Sequence, residues 1–176
     1  MIIGISGYAR AGKDTVAKIL VEEYGYSRIA FGDIIRSAVY RLNPLVTYDG
    51  MRLAHLVDLE GWEIAKEVPE VRRLMQVMGT EVGRELIDPQ IWVELTLSNQ
   101  KPNDKIVIPD VRFQNEAEEI KYRGGQVWRV SRIDKDSPIN SHRSESDMDD
   151  WRFDQYISNN GTIEELQEEV RQAWKA

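Results

Sequence analysis

The chain contains no cysteine and only two histidines in 176 residues. The first absence rules out disulfides, a thiolate nucleophile and cysteine-held metal. The histidines, His55 and His142, stand too far apart for a local metal motif, and His55 falls in a helical stretch where a structural role is expected. No HExxH, CxxC or GxSxG pattern occurs. Long apolar runs are missing too: none approaches the roughly 20 residues of a membrane helix. The N-terminus lacks the basic region of a secretory leader, so a cytoplasmic protein is expected. Nor is there a surplus of positive charge. The net charge is −7 and the pI about 5.0, whereas a general nucleic-acid binder shows a basic face. Neither a nucleic-acid nor a membrane partner is expected.

What remains is a globular composition, 41% hydrophobic and 30% charged, with room for one complete core. A single domain spanning 1–176 is expected. Arginine outnumbers lysine 15 to 8, and arginine is the better bidentate ligand for phosphate. Most of these arginines read as solvated surface; a few are candidates for a site.

The most informative stretch is Gly7-Tyr8-Ala9-Arg10-Ala11-Gly12-Lys13-Asp14-Thr15. An apolar run, Met1 to Ile5, precedes it, and a helical pattern follows through Val16, Ala17, Ile19, Leu20 and Val21. Strand, glycine loop and helix in that order form a phosphate-binding loop. Its glycines let the backbone aim N–H groups at phosphate oxygens, and the helix N-terminus adds partial positive charge. Lys13 then reaches the β- and γ-phosphates. The spacing is that of GxxxxGK[ST] with one departure, since Asp14 stands where a hydroxyl is usual and Thr15 comes one place later. Asp14 is a candidate Mg²⁺ ligand, direct or through water, because Mg²⁺ takes hard oxygen donors.

Further along, Tyr26 to Phe31 reads as a second strand, with Asp33 as N-cap of a helix ending near Leu42. Asn43-Pro44 stops that helix. Met51 to Ile87 is mostly helical, re-started at Pro69, and Gly79 and Gly83 lie four apart, a spacing that permits close approach. Asp88-Pro89 opens a helix through Trp92. Trp62 and Trp92 read as core before base-stacking platforms. This insertion covers about 45–100. Ile106-Val107-Ile108 is a short buried strand, 114–123 a helix, and 126–130 another strand. A polar stretch, about 131–152, reads as a lid. Tyr156-Ile157 forms a last strand, and Thr162 with Glu165 makes a capping box for the closing helix. Strands alternating with helices imply an α/β, three-layer architecture with a mainly parallel sheet. Ligands of such sheets bind at the carboxyl ends of the strands, where the phosphate loop, Gly32-Asp33, Asp110 and Ser131-Arg132 are expected to converge.

Asp110, directly after a buried strand, is placed as a Mg²⁺ partner. Phosphoryl transfer needs two phosphates aligned and their charge offset by cations. Arg10, Arg36, Arg84, Arg112, Arg132 and Arg143 are the candidates, the last two from the lid.

Several motifs now fall together: G-x-A-R-x-G-K-D-T at 7–15, Phe31 to Arg36, Leu74 to Arg84 with Trp92 beyond, Ile108-Pro109-Asp110-Val111-Arg112-Phe113-Gln114-Asn115-Glu116, His142 to Glu145, and Asp154 through Thr162. Together they resemble the phage-type deoxynucleoside monophosphate kinases over nearly the whole chain. The resemblance implies a P-loop NTPase fold with a helical insertion for the monophosphate and a lid. It implies transfer of the γ-phosphate of ATP to a deoxynucleoside 5′-monophosphate with Mg²⁺, for DNA precursor synthesis. By match, Arg10, Gly12, Lys13, Asp14, Thr15 and Asn160 would contact ATP, the Asn159-Asn160-Gly161 turn lying near adenine. Arg36, Arg84, Arg112 and Arg143 would hold the acceptor, while Lys13, Arg132 and Asp110 would act in catalysis. The resemblance further implies a homodimer. Two other readings stay open: a P-loop kinase of another small acceptor, such as dephospho-coenzyme A or phosphomevalonate, and a nucleotide-binding regulatory module without transfer.

Overall fold

Strand β1, Ile2–Ser6, is buried along its whole length, as an IIGIS run must be when helices cover both faces of a sheet. A computed structural model of the chain describes residues 1–101, 103–133 and 146–176. Four further strands join β1: β2, Ser27–Arg28; β3, Ile106–Ile108; β4, Gln126–Ser131; and β5, Gln155–Ser158. Their order is β2-β3-β1-β4-β5, and every pairing is parallel. The mainly parallel sheet expected from sequence is therefore wholly parallel among the described residues.

The two-residue period of a strand sorts the β1 side chains onto opposite faces. Ile3 and Ile5 enter a buried cluster with Val16, Ala17, Ile19 and Leu20 of α1, Lys13–Tyr24, and with Leu166, Val170 and Ala173 of α7, Ile163–Lys175. Trp128 and Val130 of β4 join the same cluster. Each aliphatic side chain buried there contributes about 1.5–3 kcal/mol. Gly4 faces the other way, toward α6, Gln114–Tyr122; a Cβ at this position would stand 2.7 Å from Ile120 Cδ1. Helices on both faces make three α/β/α layers. The chain leaves β1 for β2, returns to β3 beside β1, then crosses to β4 on the opposite side. The crevice for a ligand opens where strand order reverses in this way, at the carboxyl end of β1.

Contacts divide the molecule into two compact units, Met1–Ala30 with Leu97–Ala176, and Phe31–Thr96. The second is helical. It holds α2, Phe31–Leu42; α3, Leu53–Ala65; α4, Pro69–Val77; a π-helical segment, Met78–Ile87; and most of α5, Ile91–Leu97. Its interior includes Ile35, Val39, Leu53, Leu56, Val71 and Trp92.

Three local expectations change. The second strand shrinks to Ser27–Arg28, because the Phe31 ring is buried as the first residue of α2. Asp33 is consequently not the N-cap; it sits in the first turn, where its carboxylate still favours the helix dipole and pairs with Arg36 at 2.5 Å. The helical run from 51 to 87 is broken at Gly61, whose φ of 77° only glycine adopts readily, and widens to π geometry from Met78. The close approach expected at Gly79 and Gly83 is present: a Cβ on Gly83 would fall 2.4 Å from the Trp92 ring. Trp92 is core, 4% exposed.

Candidate active site

Gly7 to Gly12 turn between β1 and α1 at the carboxyl edge. Gly7 lies against β4 so closely that a Cβ would stand 2.3 Å from Val130 O, and its φ is 144°. Gly12 caps α1 at φ 104°, with a missing Cβ only 2.2 Å from the Asn159 amide nitrogen. Both glycines are thus required by space as well as by backbone angle. Arg10 between them also carries a positive φ, 67°. The Lys13 ammonium donates to Gly7 O at 2.7 Å and to Tyr8 O at 2.8 Å, so the cation lies along the inside of its own loop. Asp14 and Thr15 are exposed in the first turn of α1.

The second anchor follows β3. Val111 N–H donates to Ile5 O at 3.1 Å, which ties the Asp110 turn to the root of the phosphate loop. Glu116, 1% exposed, reaches back from the first turn of α6, and one of its carboxylate oxygens accepts from Arg112 N–H at 2.7 Å and Phe113 N–H at 3.0 Å. This is half of a capping box: the N3 glutamate caps the turn, while the N-cap Phe113 has no side-chain acceptor to reciprocate. Asp110 and Arg112 are half-buried on that braced turn.

Two other segments fasten the phosphate loop. Asn159, after β5, donates to Ala11 O at 2.8 Å. On the opposite limb, the Tyr8 hydroxyl donates to Asp149 Oδ1 at 2.7 Å. The Arg129 guanidinium, from β4, lies 4.6 Å from the Tyr8 ring centre and 5.5 Å from that of Phe153, and 3.6 Å from the same Asp149 oxygen. Burial, then the Asp149 hydrogen bond and charge, push the Tyr8 hydroxyl above its ordinary pKa, with Arg129 opposing. Asp147 accepts from Gln114 N–H at 3.0 Å, and Asp154 accepts from Val127 N–H at 2.7 Å and Lys121 at 2.6 Å. The segment 146–154 is therefore pinned by three carboxylates: to α6, to the phosphate loop and to β4.

Of the residues expected from sequence, Arg10, Gly12, Lys13, Asp14, Thr15, Asp110, Arg112, Arg132 and Asn160 all follow strand ends in the first unit. Arg132 is exposed. Asn160 accepts from Ile133 N–H at 2.8 Å and donates to Ser158 Oγ; its neighbour Asn159 is the residue that touches the loop. Arg36 and Arg84 belong to the helical unit. There Arg84 donates to Gly79 O at 2.5 Å, a carbonyl that also accepts the Trp92 indole N–H at 2.7 Å. Arg143, with residues 134–145 of the expected lid, lies outside the described residues. Sequence reasoning missed Tyr8, Arg129, Asp149 and Glu116. Tyr8 stood in the loop motif with no role of its own, and Glu116 left a trace as the acidic residue three places after the N-cap position Phe113.

A glycine loop leading into a helix at the switch point of a parallel sheet defines a P-loop protein. A family model described as deoxynucleotide monophosphate kinase matches residues 60–170. The chain belongs to the deoxynucleotide monophosphate kinase family, and with it to the phosphotransferases. It is 28% identical over 192 aligned residues to a candidate deoxynucleotide monophosphate kinase of Acanthamoeba polyphaga mimivirus, covering 97% of this chain and 94% of that one. It is 32% identical over 105 residues to the deoxynucleotide monophosphate kinase of Escherichia phage RB69, a match spanning 57% of this chain but 43% of the phage protein. Among solved structures, a shikimate kinase from Aquifex aeolicus aligns over 99% of this chain and 96% of its own at a TM-score of 0.48 and 14% identity.

Proposed function

We propose that the chain transfers the γ-phosphate of ATP to deoxynucleoside 5′-monophosphates, giving the diphosphate and ADP for DNA precursor synthesis. The observation that carries this reading is the Lys13 ammonium held at 2.7 and 2.8 Å on carbonyls of a loop braced on both limbs. A cation and a row of loop N–H groups at a helix N-terminus suit a triphosphate tail. In this reading Arg10, Gly12, Lys13, Asp14, Thr15 and Asn160 bind ATP. Arg36, Arg84, Arg112 and Arg143 hold the acceptor phosphate, and Arg132 stabilises the charge that develops during transfer. Family membership supports a nucleotide as acceptor over dephospho-coenzyme A or phosphomevalonate, and supports an enzyme over a regulatory module.

Asp14, Asp110 and the Thr15 hydroxyl offer oxygen donors alone, and no cluster of three or more His, Cys, Asp or Glu suited to a metal occurs among the described residues. That donor set fits Mg²⁺, which is bound through one or two carboxylates, waters and substrate phosphates. Asp14 and Asp110 would hold it. When bound, Mg²⁺ neutralises charge on the β- and γ-oxygens. The protein's own part is positioning: Lys13 follows the phosphates, and the braced 110–113 turn fixes Arg112.

The test is ADP formation with ATP, Mg²⁺ and each of dAMP, dCMP, dGMP and dTMP, run beside the matching ribonucleotides. Stimulation by at least one deoxynucleotide is expected. No stimulation by any of them, with ATP binding intact, refutes the acceptor assignment.

A further inference from the structure

Arg129 belongs to none of the phosphate-site motifs, yet its side chain is only 13% exposed and sits beside the phosphate loop. Its guanidinium lies near both the Tyr8 and Phe153 rings and faces the oxygen of Asp149 that accepts the Tyr8 hydroxyl. Two groups, the Arg129 guanidinium and the Asp149 carboxylate, therefore meet at one side chain of the loop, Tyr8. The carbonyl of that same residue receives the Lys13 ammonium at 2.8 Å. This limb is a turn, neither helix nor strand, closed by Ala11 N–H to Tyr8 O at 3.2 Å. A loop that the ligand itself must order binds more weakly than one already arranged.

We propose that Arg129 is a positioning residue for nucleotide binding: with Asp149 it holds Tyr8, and through Tyr8 it keeps the outer limb of the phosphate loop in the shape that receives the triphosphate. The inference rests on the reading of Gly7–Thr15 as the ATP site. It needs no contact between Arg129 and phosphate, because the ring of Tyr8 is the intermediary. Lysine would serve poorly here, since an ammonium lacks the flat face that stacks on aromatic rings.

The test measures the Kd of a non-hydrolysable ATP analogue with Mg²⁺, without acceptor, for wild type, Arg129→Met, Arg129→Lys, Tyr8→Leu and the Arg129→Met/Tyr8→Leu pair. Arg129→Met and Tyr8→Leu are each expected to weaken binding about tenfold, the equivalent of about 1.4 kcal/mol. Arg129→Lys should recover only part of the loss. The double variant should be no weaker than either single one, because both act on the same limb. In the coupled assay the KM for ATP should rise while that for the deoxynucleotide stays at the wild-type value. Wild-type affinity in a folded Arg129→Met, additive losses in the pair, or an equal rise in both KM values overturns the proposal. Should Arg129→Met not fold, Tyr8→Leu, a change in a surface loop, decides alone: unchanged affinity overturns it. Failure of the underlying reading looks different, because wild type itself would then bind no ATP analogue. Loss of acceptor turnover with analogue binding intact would count against the deoxynucleotide assignment only.

Discussion

Replacing Glu116 by alanine should damage the protein more than any surface change in the same helix. The carboxylate is 1% exposed and accepts two backbone N–H groups, at 2.7 and 3.0 Å, from the turn that carries Arg112. Hydrogen bonds to a charged acceptor are worth about 1.5–3 kcal/mol each. The Arg112 N–H is only part-buried and water can reach it after truncation, so the lower half of that range applies. Two bonds together give about 3–4 kcal/mol, against a total stability of about 5–15 kcal/mol for a domain. For a chain of this length about 2–4 °C is lost per kcal/mol, and Glu116→Ala should melt about 10 °C below wild type. Glu116→Gln keeps an amide oxygen that can take the same two bonds and should lose about 1 kcal/mol. Circular-dichroism melts and urea titrations at constant m-value measure both. A Glu116→Ala protein melting within about 2 °C of wild type would show that the carboxylate does not hold the 110–113 turn.

Lys13→Ala should abolish phosphoryl transfer while leaving the melting temperature nearly unchanged, because the ammonium donates to carbonyls of its own loop, at Gly7 and Tyr8; near-normal turnover would remove the loop from the mechanism. Gly83→Ala drives a Cβ to 2.4 Å from the Trp92 ring and should cost about 1–3 kcal/mol by overpacking. An unchanged melt for that variant would mean the π-helical segment yields freely. The raised pKa of Tyr8 means that the folded state favours the neutral phenol. Its contribution to stability is complete below the ordinary tyrosine value of about 10 and is lost as pH rises beyond it. In a difference titration against Tyr8→Phe, the missing tyrosine should ionise above pH ~10, and earlier ionisation would contradict the Asp149 contact.

Much of the sheet was legible because its signals are local. Ile106 to Ile108 is an uninterrupted β-branched run, and Thr162 with Glu165 forms a capping box that the structure reproduces in both directions. The phosphate loop was legible for the same reason, since its glycines and lysine are contiguous. Phe31 was misjudged because an aromatic residue after Ile29 and Ala30 extends a strand pattern equally well. Only tertiary packing sends its ring inward as the start of α2. The π-helical segment hid within helical spacing; Gly79 and Gly83 hinted at close packing but not at the wider turn. Contacts distant in sequence left no mark. Tyr8 meets Asp149 across 141 residues, and nothing near Arg129 in the chain distinguishes it from a surface arginine.

Under the proposed function, the bonds of Lys13 to its own loop make nucleotide capture an exchange of partners. An ammonium that swings toward a phosphate loosens its bonds to Gly7 O and Tyr8 O, at 2.7 and 2.8 Å, so part of the attraction on arrival is spent in departure from them. Those oxygens stand ready to take the cation back when the spent nucleotide loosens, which favours release. In the proposed reaction ADP leaves once per cycle, and turnover there gains from a site less sticky than its charges alone would make it.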